Sequence, residues 1–335
     1  MDQVKLGATG PSVGALGLGC MGMSDFYGPA DRAESLATLR DALDRGIDLL
    51  DTGDFYGSGH NEILLREAVL DRPRESFLYS VKFGAMRDPK GGFIGFDARP
   101  AAVLNSLAYS LKRLDTDYID IYRPARLDPA VPVEETVGAI ARMVEAGHVR
   151  HIGLSEVGAE TLRRAAAVHP IVDLQIEYSL LARGIEAEIL PVCRELGIGI
   201  TAYGVLGRGL LSGRWSAERS AADPRRRFPR FAGENLTHNL ALVDALRAVA
   251  EAKGITVGQL ALAWVRAQGA DILPLAGART RAQLAESAGA LAVTLTEADR
   301  AQLDAIAPPG AAAGDRYDAH GMASLDSERG GKRAP

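Results

Sequence analysis

RAESLATLRDALDRGIDLLDTGDFYGSGHNE, residues 32–62, contains one full unit of a repeating plan. Its first half sets apolar residues at the i, i+3, i+4 spacing of a one-faced helix and stops at Gly46, the usual C-terminal signal. IDLLD, 47–51, is a short apolar run of strand type, and the polar turn after it leads into a second helix capped near Asn61. Helix, strand, loop and helix in that order are the unit of a parallel sheet.

The unit recurs almost to the C-terminus. Strands are expected at 15–19, 47–51, 77–82, 118–122, 149–154, 172–177, 198–203 and 271–275, separated by helical segments such as VEETVGAIARMVEAG before the fifth. Eight strands with intervening helices predict an α/β fold, a closed (β/α)8 TIM barrel, and no GxGxxG opens a helix as in a doubly wound nucleotide fold. VKLGATGPSV places turn residues between two extended pieces, which predicts an N-terminal β-hairpin able to plug the barrel floor. The expected organisation is a single domain over 1–309 and a small, polar tail, 310–335, whose last part is disordered. Residues 204–234, rich in Gly and Arg, form a long connection after the seventh strand and a candidate lid, with RRRFPR at 225–230 as its solvated face.

Composition narrows the partners. Of the 335 residues 47% are hydrophobic and 24% charged, enough for a large core and too ordered in type for a disordered chain. A net charge of −5 gives no global field for nucleic acid, so a small molecule is the expected partner. Cys20 and Cys193 offer neither metal-ligand spacing nor a disulfide framework, which fits a reducing cytoplasm and no metal. LGLGC at 16–20 lacks the basic and apolar regions of a signal peptide before it, and no run of about 18 apolar residues predicts a membrane span.

Chemistry in such a barrel sits at the C-terminal ends of the strands. Asp51 ends the second strand, Tyr56 follows it in the loop, and Lys82 ends the third. A lysine beside a phenol stabilises the phenolate and lowers the tyrosine pKa while a carboxylate holds the ammonium, so the three predict a proton-transfer unit.

DTGDFYGSGHNE with Lys82, GHVRHIGLSE, LQIEYS, YGVLGRGLL and ILPLAGARTRAQLAES together resemble the aldo-keto reductases, in their bacterial and plant branch, from about Leu6 to Ala307. The five strings stand in the right order on successive strand ends. The resemblance implies a barrel that binds NADPH without a Rossmann fold and reduces an aldehyde or ketone reversibly. Tyr56 would be the general acid, tuned by Lys82 and Asp51. Ser155, Glu156 and Gln175 would meet the nicotinamide carboxamide, and Tyr203 would stack on its ring. Backbone N–H groups from Leu206 to Leu210, with Arg208, would cradle the pyrophosphate. Gly277 to Ser287 would hold the adenosine end, with Arg279 and Gln283 at the 2′-phosphate and Glu286 and Ser287 at the adenine.

Three positions depart from the family pattern. Ser287 stands where Asn is common, and Gly204-Val205 where Ser-Pro is usual. In IDIYRPARLDP, 119–129, Ala125 stands where the family has its catalytic His, while Arg126 aligns with the family's Arg. The space beside Ala125 could hold water, part of the substrate, or an arginine: strand alternation puts Arg123 on the side of Ala125. His60, His148, His151 and His169 lie away from the expected site. A cofactor-binding sensor or regulatory protein with little turnover is the alternative function. A Schiff-base aldolase using Lys82 is disfavoured, because Asp51 and Tyr56 favour a charged ammonium over a free amine.

Overall fold

The eight expected strands all form, in chain order, around a closed parallel barrel. They are β1 (Gly17–Gly19), β2 (Leu49–Gly53), β3 (Leu78–Phe83), β4 (Ile119–Pro124), β5 (Val149–Ser155), β6 (Ile171–Glu177), β7 (Gly199–Tyr203) and β8 (Ile272–Gly277). Their ends lie within two residues of the sequence reading, and those at Gly19, Val149, Glu177 and Tyr203 coincide with it. The computed structural model describes residues 1–24, 27–215 and 223–329. Helices α1 (Arg32–Asp44), α2 (His60–Ala68), α3 (Pro100–Leu114), α4 (Val133–Glu145), α5 (Ala159–Ala166) and α6 (Ile189–Leu196) follow the first six strands. Helices α7 (Gly233–Ala252) and α8 (Val257–Arg266) follow β7, and α9 (Arg281–Gly289) and α10 (Glu297–Ile306) follow β8. Local chemistry starts several of them: Asp31 accepts from the Glu34 N–H at 2.7 Å ahead of α1, and Thr256 with Gln259 forms a capping box on α8.

Alternation along each strand makes two cores. Outward residues such as Leu50, Val81, Tyr122, Ile152, Leu174 and Ile200 pack under the helices. Inside the barrel, Leu49, Ile121, Leu273 and Leu275 form an apolar floor that Leu6 and Val13 complete from below. Those two come from the expected hairpin, in which Gln3–Lys5 pairs antiparallel with Ser12–Gly14.

Above the floor the interior turns polar. Asp51, Ser80, Lys82, Arg123, Asp173, Gln175 and Thr201 are all buried there. Arg123 puts Nη2 2.9 Å from both Asp173 oxygens, and Gly153 makes room for the pair: a Cβ on it would lie 2.4 Å from Asp173 Oδ1 and 2.7 Å from Arg123 Nε.

The connections carry more structure than the sequence signals. After β3 a small hairpin forms, Ala85–Arg87 with Phe93–Phe96, its turn held by Asp88 accepting from the Lys90 and Gly92 N–H groups at 2.8 Å. In the long connection after β7, Arg225 and Arg230 turn inward, Arg225 donating to the Arg208 carbonyl at 2.6 Å and Arg230 lying 3.5 Å from Glu177. Arg226 and Arg227 are the exposed part of RRRFPR. Residues 216–222 of that connection lie outside the described residues. So do 330–335, where disorder was expected. Before them the tail runs back over the barrel mouth: Ala313 exchanges hydrogen bonds with the Asn239 side chain, and Asp326 accepts from the Gly158 N–H at 2.9 Å. Among the described residues, no helix is long and apolar enough to cross a membrane.

Candidate active site

The register of β2 on β3 pairs Asp51 with Ser80 and Gly53 with Lys82, so the inward side chains stack in layers toward the barrel mouth. Lys82 Nζ lies 2.5 Å from Asp51 Oδ1. The other carboxylate oxygen accepts from Gln175 Nε2 at 2.6 Å and Ser80 Oγ at 3.1 Å. Tyr56 opens a one-turn helix, Tyr56–Gly59, that bends through left-handed Gly57 (φ 55°) and Ser58 (φ 53°). Asn61, in the first turn of α2, pins that loop to the barrel. It accepts from Thr52 Oγ1 at 2.6 Å and donates to the Cys20 carbonyl at 2.9 Å. Tyr56 is thereby buried at the strand ends, its ring centroid 5.1 Å from the Lys82 ammonium.

The electrostatics differ from the sequence expectation. Burial drives the Tyr56 phenol well above its ordinary pKa, and Asp51 adds to the rise. The chief opposing cation is Arg126 and not Lys82, so the expected lysine-driven depression is replaced by a desolvation-driven increase. Lys82 moves the other way: burial loosens its proton, Asp51 holds it back, and Arg123 adds repulsion. A phenol that keeps its proton beside an ammonium that gives one up more readily is a sensible pairing for an acid and its resupply.

These groups face a cavity of about 640 Å3. Asp51, Tyr56, Lys82, Ala125, Arg126, Ser155 and Gln175 line its inner end, and Tyr203 stands beside them. Leu206, Arg208, Gly277, Arg279, Gln283, Glu286 and Ser287 line the rest. Thus twelve of the strand-end and loop residues singled out in sequence share one wall with the three proton-transfer candidates... 

Glu156 and Leu210 are the exceptions, buried behind the wall.

At the strand tip of β4 the three residues separate. Arg123 points down into the barrel to Asp173 and does not reach the mouth, so it does not fill the place beside Ala125. Ala125 is fixed by its N–H donating to the Phe83 carbonyl at 2.8 Å. Arg126 reaches the cavity and donates to the Ala125 carbonyl at 2.6 Å and to Ser155 Oγ at 3.3 Å.

The wall suits a dinucleotide. Gly207, Arg208 and Gly209 take consecutive left-handed conformations (φ 54°, 54° and 101°), which fold the connection after β7 into a tight turn beside the cavity. The N–H groups of Gly207 and Gly209 are engaged within the turn, by the Gly204 and Leu206 carbonyls at 2.7 and 2.8 Å. Arg208 Nη2 is buried with no hydrogen-bond partner among the described residues, a donor prepared for an anionic group. Arg279 donates to the Tyr27 carbonyl at 2.9 Å, its N–H bonds Gln283 Oε1 at 2.9 Å, and Arg214 pairs with Glu286.

Two site residues escaped the sequence reading because they lie in the tail. Arg316, 8% exposed, bonds both oxygens of Glu156 (3.0 and 2.9 Å), Glu177 (3.2 Å) and Glu328 (2.7 Å). It holds Glu156 far below the usual carboxylate range despite burial. Tyr317 lines the cavity, its hydroxyl 3.0 Å from that of Tyr203 and 3.3 Å from Arg126 Nη2, with the Arg208 guanidinium 4.3 Å from its ring centroid. The available signal was an Arg-Tyr pair inside an otherwise small, polar segment.

Comparison with known proteins agrees with this architecture. Residues 15–308 match the aldo/keto reductase family. A protein named probable aldo-keto reductase 1, from Glycine max, is 42% identical over 321 residues, covering 95% of this chain and 92% of its own. The glycerol dehydrogenase AKR11B4 from Gluconobacter oxydans superposes with a TM-score of 0.82 at 29% identity, over 91% of this chain and 94% of that one. The aldo-keto reductase AKR11C1 from Bacillus halodurans, in its holo form, gives 0.78 at 26% identity, over 96% and 99%. A match of this extent, on a barrel whose strand ends converge on one cavity, makes the chain a member of the aldo/keto reductase family, oxidoreductases that act on small carbonyl compounds with nicotinamide cofactors.

Proposed function

We propose that the protein is an NADPH-dependent reductase of an aldehyde or ketone, reversible as an alcohol dehydrogenase, with Tyr56 as its general acid. The observation that carries this is the Asp51–Lys82 ion pair beside buried Tyr56 at the inner end of the cavity. NADPH, when bound, supplies the hydride. Tyr56 donates its proton to the carbonyl oxygen, and its raised pKa keeps that proton in place until negative charge develops there. Lys82, held by Asp51, stabilises the phenolate that remains and can return a proton to it.

The remaining residues bind and orient. Ser155 and Gln175 would hold the nicotinamide carboxamide, with Glu156 acting from behind through Tyr203, whose hydroxyl donates to Glu156 at 2.6 Å. Tyr203 would present its ring to the nicotinamide. Arg208 and the turn from Leu206 to Leu210 would take the pyrophosphate, Arg279 and Gln283 the 2′-phosphate, and Glu286 and Ser287 the adenine. Gly277, with no atom within 4 Å of the place a Cβ would occupy, leaves the nucleotide wall open. At Ala125 the family's imidazole is replaced by a methyl group, and the carbonyl oxygen loses one donor.

The test is NADPH oxidation across a panel of aldehydes and ketones. Turnover with any member supports the reading. Tight NADPH binding without oxidation of any carbonyl would favour the alternative prompted by Ala125, a cofactor-binding sensor or regulatory protein.

A further inference from the structure

Arg126 makes no ion pair among the described residues, and Glu156, whose charge it feels, lies beyond ion-pair distance. Its named acceptors, the Ala125 carbonyl, Ser155 Oγ and the Tyr317 hydroxyl, are all neutral, and no carboxylate lies within ion-pair distance of it among the described residues. The carboxylates nearby are already committed. Glu156 accepts from Arg316, the Tyr203 hydroxyl, Ser327 Oγ and the Glu177 N–H, and Asp51 accepts from Lys82, Gln175 and Ser80. A guanidinium inside a protein is ordinarily paired, since its planar fork matches a carboxylate with two parallel hydrogen bonds.

The surroundings also fix where the fork points. Tyr203 gives its proton to the ionised Glu156, so its oxygen accepts from the Tyr317 hydroxyl. Tyr317 then has its own oxygen free to accept from Arg126. This relay, Arg126 to Tyr317 to Tyr203 to Glu156, is anchored by Arg316 next in the chain and holds Arg126 at the cavity wall. Arg126 sits at the end of β4 with Tyr56, Lys82 and Ala125, whereas the arginines assigned to phosphates, Arg208 and Arg279, come from the connections after β7 and β8.

We infer that Arg126, steadied by the Tyr317 hydroxyl, is the anchor for a carboxylate on the substrate, so that the preferred substrates are aldehydes or ketones bearing an acid group. The inference rests on the carbonyl-reductase reading and names the substrate class for that site. Binding the acid group supplies a direct ion-pair partner, and that interaction orients the carbonyl where the family's imidazole is absent.

The experiment compares matched substrates: 4-carboxybenzaldehyde with 4-methylbenzaldehyde, and succinic semialdehyde with butanal, each with NADPH. The wild-type enzyme is expected to favour the acid in both pairs by at least about tenfold in kcat/KM, chiefly through KM. Arg126→Gln should erase the ratio, Arg126→Lys should retain part of it, and Tyr317→Phe should shrink it a few-fold. NADPH affinity, read from quenching of protein fluorescence, and thermal unfolding of each variant separate this role from folding damage. A wild-type ratio near one in both pairs would overturn the inference while leaving carbonyl reduction standing, as would a ratio that survives Arg126→Gln. A variant whose NADPH affinity falls while the substrate ratio persists would also overturn it, and would place Arg126 at the nicotinamide. Reduction of none of the four aldehydes would overturn the inference alone if other carbonyls of the wider panel are turned over, and the underlying reading as well if none is.

Discussion

The guanidinium of Arg316 lies 2.9 Å from the carboxylate of Glu156, joining the C-terminal tail to the end of β5 across 160 positions of chain. Glu156 holds a left-handed backbone (φ 53°), a conformation that costs a non-glycine residue roughly 1–2 kcal/mol, and the tail closes over it when the Ser327 N–H donates to its carbonyl at 3.1 Å. Removing one partner of a buried pair leaves an uncompensated charge, a loss of about 3–5 kcal/mol. Arg316→Met is therefore expected to loosen the tail. Hydrogen exchange should rise within 311–329 and at β5, with the hairpin at the barrel floor unchanged. Uniform exchange in the variant and the wild type would contradict the latch.

Asp54 ties stability to pH. Burial pushes its carboxyl up to about 7, with Glu62 adding to the rise. Between the usual value of about 4 and 7 the folded protein keeps a proton that the unfolded chain releases. The stabilisation is thus fully present at the acid end of that window and is lost as pH rises through it. Asp54→Asn, which removes the titration, should gain in Tm relative to the wild type as pH goes from 5 to 8. A difference between the two that stays flat over that range would count against the buried carboxyl.

Cofactor preference should depend on Arg279. If it takes the 2′-phosphate, Arg279→Ala raises the KM for NADPH about tenfold or more and leaves the KM for NADH nearly unchanged, since a charge-assisted contact is worth roughly 1.5–3 kcal/mol. Arg279 also bonds the Tyr27 carbonyl, so an equal loss with both cofactors would assign it to holding that loop instead.

The placement of the candidate site residues was largely legible because barrel chemistry collects at strand ends, and strand ends can be located from short apolar runs. Asp51 and Lys82 follow such runs directly, and Tyr56 follows within a loop too short to place it elsewhere. The charge balance was not legible. The Arg123–Asp173 pair joins residues 50 apart on β4 and β6, and nothing local to either sequence position announces it. It redirected an arginine that strand alternation had correctly placed inward but that alternation could not place in height. The sign of the Tyr56 shift was missed for a related reason: residue types reveal a nearby lysine, whereas burial depends on how the loop closes. The tail misled through composition, because one Arg-Tyr pair among small polar residues does not shift an average, yet it supplies Tyr317 to the cavity wall and Arg316 to Glu156 behind it.

The central claim, that Tyr56 protonates the carbonyl as hydride arrives, is tested most directly by single-turnover reduction of one accepted aldehyde by the pre-bound NADPH complex of the wild type and of Tyr56→Phe. The account predicts unchanged NADPH binding and a hydride-transfer rate lowered by at least about 10²-fold in the variant, the scale of losing a positioned general acid. A variant that transfers hydride at the wild-type rate would contradict it.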